Sequence, residues 1–366
     1  MSDDQIAGRL RLALERAAAE HEISPGAWQE IERRLRRYTW RRRGFAALCA
    51  GIIAAAAVAA PGLWGASSGP AAGDRHPLPA RQLVVVSRTH LGPAVTKLTA
   101  GCGGVWVVGL GVIYRVDPAT GKKTAAIPAP GVVDGLSGIA AGAGAVWVTA
   151  AAPRFGVYRI DPRRDRVAAF IHLPRVATGI TVAYGRVWAV EPRAGTGVVV
   201  RIDPRTNSVS GPPTEVGTGP GGAVAGFGAL YVTNSDSNGS VSVIDPATGA
   251  VTRTLVNIPD VVAARDGSLW VTGTRGLQRV DPATGEITAV VGLPNAAAVT
   301  FWAGSAWVST EPPGPLVRID PASNQIIGTA APVGKSPTYV TPSPTGLWVV
   351  DATTGDPLHH ALATRR

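Results

Sequence analysis

The sequence predicts an all-β body, a seven-bladed β-propeller, behind a short helical tail and one transmembrane helix. An aromatic residue recurs at Trp106, Trp147, Trp188, Tyr231, Trp270, Trp307 and Trp348, at spacings of 37 to 43 residues, which is the period of a four-stranded propeller blade. After the aromatic comes an Asp-Pro phrase, as in VIDPATG at 243–249, of the kind that turns a hairpin. Finally, 45 Gly, 30 Pro and 10 Trp beside one Met in 366 residues suit many short strands joined by turns. Helix-forming Ala, Leu, Arg and Glu dominate only in the first 65 residues or so.

Residues 1–43 read as a cytoplasmic tail with two amphipathic helices. The first runs over about Gln5–Glu20, with Ile6, Leu10 and Leu14 on one face. The second starts at Ser24-Pro25, a cap followed by a first-turn proline, and carries Trp28, Ile31 and Leu35. It ends in IERRLRRYTWRRRGF, which holds seven arginines and accounts for much of the net charge of +10. An apolar stretch follows directly, so the run reads as a topology signal. As a helix, GFAALCAGIIAAAAVAAPGLW (44–64) would span about 32 Å, enough for a bilayer. The transmembrane segment is therefore set at 44–65, with the N-terminus cytoplasmic and the rest extracytoplasmic. A cleaved secretory signal is the alternative, but 43 residues is long for its leader and Pro61 directly follows the small-residue site VAA. A lipid anchor at Cys49 is disfavoured by Leu48 before it.

Residues 66–81, rich in Pro, Ala and Gly, form a linker, and residues 82–366 form the propeller. In each unit a small-residue strand (TKLTAG, SGIAAG, GGAVAG) precedes the aromatic strand. A third strand ends in V/I-D-P, and a fourth follows, such as KKTAAIP or AVTRTLV. The aspartates Asp117, Asp161, Asp203, Asp245, Asp281 and Asp320 sit at one turn in successive units, so turn geometry explains them without a ligand. The aromatics are expected between neighbouring sheets, where large side chains bury the most area. The seventh unit has room for only three strands, and QLVVVSR at 82–88 supplies the fourth. The ring thereby closes without open sheet edges. Cys49 and Cys102 are the only cysteines, so no disulfide forms within the exported body. Cys102 is expected as a small buried hydrophobe.

A site, where there is one, belongs at the channel mouth. Ten residues before each aromatic, at the start of each innermost strand, stand Thr96, Ser137, Thr178, Gly221, Asp260, Ala297 and Thr338. These would line a polar pore with one carboxylate, although convergence of seven strands also demands small residues. Arg154, Glu191, Arg193, Asp236, Arg275 and Glu311 occupy the loops between second and third strands. Mixed charge there suits a protein or small-molecule ligand, although loops are polar by default. No row of basic and aromatic residues along one face points to nucleic acid.

LYVTN followed by GSVSVIDPATGAVTRTL at 230–255 resembles the repeat of the YVTN family of β-propellers, and the Trp-bearing units resemble the propeller of virginiamycin B lyase and its relatives. The resemblance covers 82–364 and implies the fold strongly and function weakly. Those lyases imply a histidine and a carboxylate-held Mg²⁺ on one face of the ring. Here no histidine lies between His172 and His359. His359 and His360 fall on a terminal segment, where a solvated or edge-strand role is expected. No catalytic residue is therefore assigned, and no metal or cofactor is expected. Nor do residues 82–366 hold a G-x-S-x-G, a Walker loop or an H-E-x-x-H, and GTGPGG (217–222) reads as a tight strand entry.

The leading expectation is a membrane-anchored extracytoplasmic propeller acting as a noncatalytic ligand- or protein-binding module. One alternative is a lyase- or hydrolase-type enzyme with its site at the channel mouth. The other is a transmembrane regulator whose tail binds a cytoplasmic protein, since the layout of tail, span and exported domain resembles some actinobacterial anti-sigma factors. The H-x-x-x-C-x-x-C pattern of many of those is missing.

Overall fold

The computed structural model describes residues 83–362, apart from the short segments 92–96, 133–136, 152–153, 194, 237–238, 274–275, 311–313, 330–336 and 352–355. The proposed tail, transmembrane segment and linker lie outside the described residues. Among those described, no helix is long and apolar enough to cross a membrane.

Seven antiparallel sheets form the ring. Blade 1 comprises Lys97–Gly101, Gly104–Gly109, Val112–Val116 and Lys123–Pro128, from the innermost strand outward, and blades 2, 4, 5 and 6 repeat that order. Each innermost strand lies against its two neighbours, and the seventh, Pro337–Ser343, against the first. Blade 7 closes as expected: Leu83–Arg88 pairs antiparallel with Pro357–Leu362, from Leu83 opposite Leu362 to Arg88 opposite Leu358. The N-terminal strand is thus the outermost strand of the last blade.

Blade 3 departs from the four-strand pattern. Its outer edge is split into Ser208–Val209 and Thr214–Thr218, both paired with Thr196–Asp203. Between them stand Pro212 and Pro213, which have no N–H to donate to a ladder.

All seven recurrent aromatics are buried, with Trp106, Trp147, Trp188, Trp270 and Trp348 completely inaccessible. Each packs toward the following blade, as Trp188 does in a cluster with Ala223, Ala225, Leu230 and Val232 of blade 4. Small residues on the inner strands are required sterically. A Cβ at Gly142 would come within 2.8 Å of Val182, and one at Gly226 within 2.5 Å of Ala264 on the next inner strand.

The strand order gives the ring two unlike faces. The turn face carries the hairpins between first and second strands and the Asp-Pro turns between third and fourth. The mouth face carries the blade-to-blade connections and the loops between second and third strands.

Candidate binding site

On the turn face, repetition accounts for most of the polar chemistry. The Asp117 carboxylate accepts the N–H groups of Ala119 and Thr120 at 2.9 and 2.7 Å, and the same bond from the residue two places on recurs at Asp161, Asp203, Asp245, Asp281 and Asp320. Those backbone donors hold the carboxyls of Asp117, Asp161, Asp203 and Asp281 below the usual range. The fifth turn residue takes positive φ, supplied by Gly121, Gly249 and Gly285 or by Asp165, Asn207 and Asn324, the residues that tolerate it. The aspartates are structural.

An arginine two residues before most of these aspartates was not singled out from sequence, although R-x-D-P is visible five times. Arg115, Arg159, Arg201, Arg279 and Arg318 each stand directly across from their blade's tryptophan. The guanidinium of Arg279 lies 5.1 Å from the Trp270 ring centroid and donates to Pro321 O at 2.6 Å and Asn324 Oδ1 at 3.1 Å in the next blade's turn. Arg115 reaches Pro162 O and Asp165 in the same way, and Arg159 reaches Pro204 O and Asn207. The arginine therefore rivets blade to blade.

In blade 7 His359 holds the arginine position. Its ring stacks on Trp348 at 4.8 Å and 4°, and its Nε2 lies 3.2 Å from the Thr345 hydroxyl, which donates to Pro118 O of blade 1. This corrects the solvated or edge-strand expectation: His359 and His360 are 3 % and 1 % exposed, on a strand paired on both sides. Burial lowers both pKa values, that of His360 to about 4. Cys102 is half-buried, with its thiol toward Ala145 O at 3.4 Å, and burial raises its pKa.

The mouth face differs. Asp260 begins the innermost strand of blade 5, Asp260–Arg265. Its residue is half-buried, but Oδ2 is wholly buried with no hydrogen-bond partner. The Thr233 hydroxyl of blade 4 donates to the carboxyl, and desolvation, the larger effect, pushes the pKa up to about 7. Next to Thr233, Asn234 donates from Nδ2 to Ser240 Oγ at 3.2 Å and Ser242 Oγ at 3.0 Å, and its Oδ1 is buried without a partner. Ser240 donates to Asp236, and Ile258 N–H donates to Gly239 O at 3.2 Å. The Asp236 loop is thus tied to the segment leading into Asp260.

Glu191 was expected in a solvated loop. It instead ends the strand Arg186–Glu191 and is fully buried. Arg193 Nη2 lies 3.2 Å from its Oε2, while Glu191 Oε1 and Arg193 Nε have no partner. Burial raises the Glu191 pKa against the pull of Arg193 and Arg175. Pro220 bridges the two groups: it pairs with Asn234 and packs at Gly197, beside Glu191 O.

Of the other expected positions, Ser137 is buried just before Ile139–Gly142, and Thr178 is half-buried just before Gly179–Ala183. Thr338 lies within Pro337–Ser343, and Arg154 is exposed at the mouth. Thr96, Arg275 and Glu311 lie outside the described residues. Asp260, Asp236, Glu191 and Arg193 therefore fall on the mouth of blades 3 to 5, while Ser137 and Arg154 belong to blade 2. Thr233 and Asn234 were not singled out, though Asn234 is the N of the YVTN phrase. No group of three metal-ligating residues comes together among the described residues. A depression of about 330 Å³ lies away from the mouth, between the split edge of blade 3 and the Thr248–Val251 segment.

A repeat family of unknown function, DUF6923, matches residues 194–338. No curated protein matches the chain. Among solved structures, hydrazine synthase of Kuenenia stuttgartiensis is similar at 13 % identity and a TM-score of 0.60, over 75 % of this chain and 97 % of that one. That likeness shows the propeller fold alone.

Proposed function

We propose that the chain is a membrane-anchored, extracytoplasmic, noncatalytic binding module of the YVTN and virginiamycin B lyase-like kind, which takes a protein or small-molecule ligand at the mouth of blades 3 to 5. The observation that carries this reading is the Asp260 carboxyl, with one oxygen held by Thr233 and the other buried without a partner. A buried acceptor without a donor costs about 1–3 kcal/mol, so a ligand that supplies one recovers that cost. A donor such as an amide, hydroxyl or ammonium fits, and an ammonium also favours the ionised carboxylate.

Photo-crosslinkers at position 154 on the mouth and 119 on the turn face, in intact membranes, test it. Adducts at 154 that fall at least about tenfold in Asp260→Ala, equivalent to the 1.4 kcal/mol a single hydrogen bond commands, are expected. Adducts indifferent to Asp260, or equal from 119, would sink the reading. Calorimetric Mn²⁺ titration addresses the enzyme alternative: tight binding lost in Asp260→Ala would move the reading from ligand capture to metal-assisted chemistry.

A further inference from the structure

The Asp-Pro turns obey one mechanical rule in six blades but divide sharply in charge. In blades 1 to 3 their exposed positions carry Lys122, Lys123, Arg163, Arg164, Arg166 and Arg205. The corresponding turns of blades 4 to 6 carry Ala247 and Ala250, Ala283 and Glu286, and Ala322 and Gln325. Turn geometry requires none of these cations, because the aspartate, the proline and the positive-φ residue do the folding. Acids on the same turns neutralise only part of this charge. Asp117 is occupied by backbone donors and Asp165 by Arg115. Only Arg164 and Arg205 have an ion pair, within their own turns, to Asp161 and Asp203.

The chain enters the ring on that same face. Leu83 lies opposite Leu362, at the blade 7 position where other blades have their Asp-Pro turn. The described chain therefore begins at the turn face, and a 16-residue linker over 66–81 would span at most about 55 Å fully extended. With a span at 44–65, apposing the turn face to the bilayer needs no chain wrapped around the rim; apposing the mouth does.

We propose that the turn face of blades 1 to 3 docks on the anionic lipid surface of the anchoring membrane, so that the mouth points away from the bilayer toward its ligand. This rests on the anchored reading above. Lysine and arginine clustered beside a membrane attachment are drawn to acidic headgroups within a Debye length, and salt weakens the attraction. The tether raises their local concentration at the surface, so weak individual contacts suffice.

The test uses the full chain with Cys49→Ser and Cys102→Ala, in vesicles of phosphatidylcholine alone or with about 30 % phosphatidylglycerol, a composition acidic enough to attract a basic patch. One spin label replaces Ala119 on the turn face or Arg154 at the mouth, and a paramagnetic chelate is attached to a fraction of the lipid headgroups. With phosphatidylglycerol, relaxation at 119 should exceed that at 154 several-fold. The excess should vanish in neutral vesicles, at high salt, and in the variant Lys122→Glu, Arg163→Glu, Arg166→Glu, whose exposed side chains form no ion pair among the described residues. Thermal melting of that variant checks that it folds. Flotation with the vesicles but equal relaxation at the two labels, or an excess at 119 that survives charge reversal, overturns this inference alone. Failure to float with either lipid overturns the anchored reading and this inference together.

Discussion

The two faces of the ring are made from the same strands, yet they treat polar groups in opposite ways. On the turn face the aspartates, arginines and indole N–H groups are mostly spent on one another: Trp106, Trp147, Trp188, Trp270 and Trp307 each donate to the carbonyl five residues back. The partnerless buried atoms beside these riveting residues are Arg201 Nε, Trp348 Nε1, His359 Nδ1 and Ser87 Oγ, the last three at the blade 7 seam, where histidine stands in for arginine. At the mouth of blades 3 to 5, Glu191 Oε1, Arg193 Nε, Asn234 Oδ1 and Asp260 Oδ2 are all buried and partnerless. Residues that repeat therefore hold the ring together, and residues that do not repeat carry the cluster of unsatisfied buried atoms at the mouth.

The largest expected effect breaks that contrast at Asp260. Its pKa is about 7 in the fold against about 3.9 in the unfolded chain, so the native state holds a proton that the unfolded state has lost between roughly pH 4 and 7. Stability from this group is full below about pH 4 and is lost as the pH rises through 7. Asp260→Asn, which stays neutral, should raise stability by about 2–3 kcal/mol at pH 8 after discounting solvent access, and by almost nothing near pH 4. Urea unfolding at several pH values measures it; a gain independent of pH would remove the buried carboxyl from the account.

The second effect runs the other way in pH and tests the seam. His360 titrates near 4 in the fold against about 6.5 unfolded, so its stability is present above about 6.5 and lost as the pH falls toward 4. His360→Leu should therefore blunt acid unfolding by about 2 kcal/mol at pH 4.5. It should leave the melting temperature at pH 8 nearly unchanged. Hydrogen exchange should place the acid opening at Leu83–Arg88, because that strand pairs across from His360.

How much of this was legible followed from how local each cause is. Seven blades, the Asp-Pro turns and the closing strand 83–88 rest on period and turn chemistry within a few residues. Arg279 acts on Asn324 in another blade, and nothing local marks that pairing. Glu191 was assigned to a loop because it follows the VWAV pattern by one residue, yet the strand runs through it. His359 was misread because the last unit lacks the R-x-D-P phrase, and only the pairing of Trp348 with His359 reveals it as the substitute. Asp260 was found by counting back from the aromatic, a position fixed by the repeat. Its missing partner is visible only in three dimensions.

The smallest effect sharpens the comparison most, because it asks whether the turn face is a set of rivets or a set of coincidences. Arg279 makes four hydrogen bonds, to Ser268 Oγ, Asp266 O, Pro321 O and Asn324 Oδ1, while stacked on Trp270. A lysine cannot reproduce that planar fork, so Arg279→Lys should cost about 1–2 kcal/mol. Asn324→Gly should cost less, since blade 4 already places Gly249 beside Arg201 with one bond to Thr248 O. In a double-mutant cycle, Arg279→Ala and Asn324→Ala should couple by more than about 0.5 kcal/mol, whereas Arg279→Ala and Asp260→Asn, on opposite faces of blade 5, should add. Coupling between the second pair would mean that the faces share one energetic network and that a change at the mouth is felt at the turns; additivity there leaves the rivets as scaffold and the mouth as a part free to change without them.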